Sequence, residues 1–67
     1  MNVEDRKKRV KHRLVDLGIS FREWCRQEGI SHSVARDIVN GRLDGSRSEQ
    51  TRQIKMKIQG VFGSDIF

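Results

Sequence analysis

The chain has 67 residues, 34% of them hydrophobic, with 14 Lys and Arg against nine Asp and Glu for a net charge of +5. A chain of about 60 residues buries only roughly 60% of its unfolded surface; this limits the protein to one domain over residues 1–67 and excludes a cofactor fold with a substrate pocket beside it. The positive surplus suits a polyanion, either nucleic acid or an anionic membrane surface, yet it equals the ordinary solubilising charge of a small domain and decides nothing alone.

The one cysteine, Cys25, cannot close an internal disulfide, which points to a reducing, cytoplasmic setting. No apolar run approaches the roughly 20 residues of a membrane span, and no signal-peptide pattern opens the chain. Proline is absent, so the six glycines are the punctuation. They divide the chain into four short segments, none of which alternates polar and apolar residues as a strand would.

The first predicted helix runs from about Val3 to Leu17, with Val10, Leu14 and Leu17 on one stripe at i, i+4 and i+7. Glu4 and Asp5 suit the positive end of its dipole, and Gly18 ends it. The second carries the strongest local signal. Ser20 and Glu23 form an S-x-x-E capping box, and Ile19 and Trp24 are spaced as a hydrophobic staple, giving a helix from Phe21 to about Glu28 with Gly29 as its stop. Ser31 is the expected N-cap of the third, whose apolar side is Val34, Ala35, Ile38 and Val39 and whose end is Asn40-Gly41. After a loop, Ser46 and Glu49 read as a second capping box, opening a fourth helix with Ile54, Ile58 and Val61 or Phe62 on its inner stripe.

Helices two and three are separated only by Gly29-Ile30-Ser31. A three-residue turn beginning with Gly is the geometry of a DNA-binding helix-turn-helix, in which the second helix enters the major groove. The stretch 21–41, FREWCRQEGISHSVARDIVNG, resembles the helix-turn-helix of the lambda repressor and Cro-like superfamily, a broad group that includes small phage and prophage regulators of the Ner type. The resemblance rests on Trp24-Cys25 as an apolar and then a small residue in mid-helix, Gly29-Ile30 at the turn, Ser31-His32-Ser33 at the next helix start, Ile38 in its core position and Asn40-Gly41 at its close. It covers about a third of the chain closely. Glu28, Phe21 and Ala35 depart from it, standing where the family usually has a large apolar residue, a phosphate-touching Gln, and Val or Ile.

The resemblance implies an all-α, compact four- or five-helix lambda-repressor-like domain, with a helix-turn-helix core at about 20–41 and a recognition helix at about 31–40. It also implies a DNA-binding face of Ser31, His32, Ser33, Arg36, Asp37 and Asn40. Within that set Arg36 is the leading base contact, since a guanidinium can bond two acceptors on guanine. Asn40 suits adenine or simply ends the helix. Asp37 would repel phosphate and suits a cytosine contact or an ion pair with a neighbouring Arg. Arg42 and Arg47, flanking the next loop, suit phosphate contacts, which position without reading sequence. The basic run Arg6, Lys7, Lys8, Arg9, Lys11 and Arg13 is either a backbone contact or a solvated helix face.

Trp24 and Cys25 read as core residues. The separations of Cys25, His12 and His32 match no zinc pattern, and one Cys, two His and scattered carboxylates assemble no nucleophile–base set. No metal, cofactor or catalytic residue is therefore expected. The expected function is sequence-specific binding of double-stranded DNA by a prophage-type transcription regulator in the cytoplasm of a bacterial or phage-infected cell. The alternatives are a DNA-binding module of a transposition or recombination system, non-specific RNA binding, and a protein-interaction domain using the apolar tail. That tail, with Phe62, Ile66 and Phe67, either covers the core or forms a homodimer contact.

Overall fold

The computed structural model describes residues 2–43 and 48–67. Among these residues the protein is all-α, with four helices and no strand: α1 Val3–Leu17, α2 Phe21–Glu28, α3 His32–Val39 and α4 Glu49–Phe62. No helix among them is long and apolar enough to cross a membrane.

Each helix starts on a side-chain cap. Asn2 Oδ1 accepts from Asp5 N at 2.8 Å, Ser20 Oγ from Glu23 N at 3.1 Å, and Ser31 Oγ from Val34 N at 3.4 Å. Each bond satisfies one of the backbone donors that a helix start leaves open. The Ser20–Glu23 box forms only on this side. The Glu23 carboxylate turns to Arg26, whose Nη2 donates to it at 3.0 Å, because an i+3 guanidinium is in reach on the same exposed face.

The start of α4 corrects the expected Ser46–Glu49 box. The N-cap is Ser48, whose Oγ accepts from Thr51 N while Thr51 Oγ1 accepts from Ser48 N, both at 3.2 Å. A hydroxyl at the third position replaces the carboxylate of the usual pattern. Ser46 and Arg47 lie outside the described residues.

The first three helices end alike. At the end of α2, Gly29 N donates to Arg26 O at 3.2 Å and Ile30 N to Cys25 O at 3.0 Å, the paired bonds of a Schellman stop. Gly29 has φ +69°, a left-handed backbone that a side chain disfavours.

The core comprises Val10, Leu14, Trp24, Cys25, Ala35, Ile38, Val39, Ile54, Ile58, Phe62 and Ile66. α3 is central and packs on the other three helices. From α4, Phe62 faces the core and Val61 is only half-buried; the Trp24 and Phe62 rings meet edge to face at 5.0 Å, a favoured aromatic geometry. Leu17, expected on the inner stripe of α1, is exposed. The stop at Gly18 turns the chain so that Ile19 N reaches Leu14 O, and Ile19 packs against the core at that end instead. The tail folds back: Ile66 is fully buried and Phe67 packs beside the cluster.

Candidate nucleic-acid interface

α3 is two-sided. Ala35, Ile38 and Val39 are buried, whereas Ser31, Ser33 and Arg36 are exposed and His32, Asp37 and Asn40 are half-buried. The periodicity produces this division: with 3.6 residues per turn, 35, 38 and 39 share one side and 33, 36 and 40 the other. Anchoring on Ala35, which is fully buried, lets the helix seat against α2 and α4 with its polar side outward.

The six positions of the expected face differ in freedom. Ser31 is already engaged as the N-cap, so its hydroxyl keeps only its proton and a remaining lone pair for a ligand. His32 lies with its ring 5.7 Å from the Phe21 ring at an interplanar angle of 61°, an edge contact that restrains the imidazole at the entrance of α3. Ser33 is open. Among the described residues no carboxylate lies within ion-pair distance of Arg36, and its guanidinium stands in solvent.

Asp37 forms no ion pair with an Arg of the described residues; its backbone carbonyl accepts from Arg42 N at 2.8 Å and Leu43 N at 3.2 Å, as part of the stop of α3. Asn40 is the C-cap residue, with φ −78° and ψ −1°, so it ends the helix while remaining only partly buried. Arg42 is exposed just beyond the helix. Arg47 lies outside the described residues.

The basic run of α1 divides by position. Arg6 reaches into the fold, and Arg9 lies over its surface toward the tail. Arg6 Nε donates to Ile66 O at 3.1 Å and Nη1 to Val39 O at 3.0 Å, and Arg9 Nη1 donates to the Asp65 carboxylate. Lys7, Lys8, Lys11 and Arg13 are exposed. Lys7 and Lys11 share with Arg36 and Asn40 a groove of 610 Å³ floored by Val10, Leu14, Phe21 and Val39, so these two cations of α1 and the outer side of α3 border one surface.

The remaining chemistry is muted. Cys25 is 1% exposed, and burial pushes its thiol up to about 11, the state of an inert packing residue rather than a nucleophile. Among the described residues no three His, Cys, Asp or Glu side chains converge as a metal site would require. The intramolecular roles of Arg6 and Arg9 are absent from the sequence reading, because their partners lie 60, 33 and 56 residues away and no local pattern marks them. No protein-family model, curated protein or solved structure matches the chain.

Proposed function

We propose that the protein binds double-stranded DNA sequence-specifically, as a small cytoplasmic regulator of prophage type that acts by binding rather than catalysis. In this reading α2 and α3 form a helix-turn-helix of the lambda-repressor-like kind. The observation that carries it is the two-sided α3: a buried Ala35-Ile38-Val39 side holds the helix while Ser33 and Arg36 face solvent. A helix so exposed fits the major groove, where Arg36 can bond guanine O6 and N7 and Asn40 can bond adenine.

Lys7, Lys11 and Arg42 would meet phosphates on either side of that helix, fixing orientation without reading bases. His32, held against Phe21, is suited to a contact at the helix start. The alternative of an interaction domain built on the tail has less to stand on: Phe62 and Ile66 are inside the fold, and a partner would meet only partly buried side chains such as Phe67.

The test begins with selection from a random duplex library, followed by fluorescence anisotropy of the selected duplex and a scrambled one at several salt concentrations. With about six phosphates neutralised, the log–log salt slope should lie near −5. Arg36→Ala should cost about 1–3 kcal/mol on the selected duplex and leave scrambled-duplex binding nearly unchanged. A protein that enriches no duplex, or an Arg36→Ala variant that keeps full preference, would overturn the reading.

A further inference from the structure

The end of α3 is held by groups from both extremes of the chain. The Arg6 guanidinium donates through Nη1 to Val39 O at 3.0 Å and reaches Ile38 O at 3.5 Å. These carbonyls belong to the last turn of α3, where helices leave acceptors open and favour a cation. The same guanidinium donates through Nε to Ile66 O at 3.1 Å and stands 4.9 Å from the centre of the Phe67 ring. Lys55 of α4 lies 5.2 Å from that ring. One planar group therefore joins three segments, and its fixed fork suits it to that task as a Lys ammonium would not.

We propose that Arg6 is a positioning residue for the DNA-reading helix: it couples docking of the tail, residues 64–67, to the presentation of Arg36 and Asn40. The inference rests on the DNA reading of α3. Asn40 follows Val39 directly and Arg36 lies one turn earlier, so a shift in the carbonyls at 38 and 39 moves both. Ile66, at 0% exposure, anchors the tail in the core. Arg9, paired with Asp65, holds the turn that leads to it. Undocking the tail removes the Ile66 acceptor and the Phe67 ring from Arg6 together, loosening the hold that keeps its guanidinium aligned on α3.

The experiment compares Arg6→Lys, the mild variant Phe67→Ala, their double variant and the parent protein. Thermal melting gives the folded fraction, and affinities for the selected and scrambled duplexes are read where every variant is fully folded. Arg6→Lys should weaken selected-duplex binding roughly tenfold, the size of one lost charge-assisted hydrogen bond, while leaving scrambled-duplex affinity and the salt slope unchanged. The double variant should lose less than the sum of the single losses, since the two side chains act through one contact.

A salt slope reduced by about one in the charge-removing variant Arg6→Gln would make Arg6 a phosphate contact and overturn the proposal. So would equal losses on both duplexes, or no loss at all. Amide chemical shifts, recorded without DNA, separate this from failure of the DNA reading. Phe67→Ala should move the amide signals of Asn40, Gly41 and Leu43 whether or not any duplex is preferred; shifts confined to the tail and α4 would sink the coupling itself.

Discussion

Arg9 hydrogen-bonds the Asp65 carboxylate and, with a backbone hydrogen bond and the nearby positive charge, holds it below its ordinary value of 3.8. A carboxyl whose folded value is depressed adds stability above its unfolded value and loses it as the pH falls through the folded value. Asp65→Ala should therefore lower the melting temperature slightly at neutral pH, and the gap to the parent should close below about pH 4. The effect is small because the pair is solvent-exposed. Melting curves from pH 7 to pH 2 check it; a gap that widens in acid would contradict the assignment. Residue identity alone did not reveal this pairing. Within the run of cations from Arg6 to Arg13, sequence cannot tell an inward guanidinium from an outward ammonium, since the distinction lies in what the far end of the chain brings to it.

Among the elements, two left-handed glycines make a matched contrast. Gly29 has φ +69° and a Cβ there would meet nothing within 4 Å, whereas Gly63 has φ +121° and a Cβ would fall 2.7 Å from Arg9 Nη1 and 3.0 Å from Asp65 Oδ1. Gly29→Ala should cost only the backbone penalty, about 1–2 kcal/mol. Gly63→Ala should cost more, because φ +121° with ψ +135° lies in a region essentially reserved for glycine, and Arg9 must also shift. Urea denaturation of the two variants decides, and equal costs would refute the argument.

The helix ends show how far local chemistry reads through. α1, α2 and α3 follow from caps and glycine stops, whose partners lie within a few residues. The start of α4 does not. Ser46 with Glu49 fits the familiar box, yet Ser48 pairs with Thr51, and a hydroxyl partner is a weaker sequence signal than a carboxylate. The apolar side of α3 was legible from the spacing of Ala35, Ile38 and Val39, whereas its outer face was named only through the family resemblance. The distinct circumstances of His32 against Phe21 and of Asp37 without an Arg partner were not legible, since ring contacts and ion pairs depend on how helices cross.

At the level of the molecule, one core, eleven residues among those described, carries the fold. A 67-residue domain has a stability of roughly 3–10 kcal/mol. Ile58, at 0% exposure on the central stripe of α4, should cost about 2–5 kcal/mol when cut to Ala. The variant should melt well below the parent by circular dichroism, whereas Met56→Ala, two residues away on the outer side at 63% exposure, should stay within about 0.5 kcal/mol of the parent. Comparable losses at the two positions would mean that the core is misassigned. The apolar tail was recognisable as something needing cover; whether by its own core or by a second copy was open in the sequence, because hydrophobicity names no partner.

The contact between Arg6 and Ile66 spans 60 residues. On the ribosome, a chain emerging amino end first would present α1, and then its contact with Val39 O, while the seat of Ile66 was still vacant. Assembly of this domain would thus wait for residue 66 to leave the exit tunnel, and until then its half-built interior would lie open to chaperones and proteases.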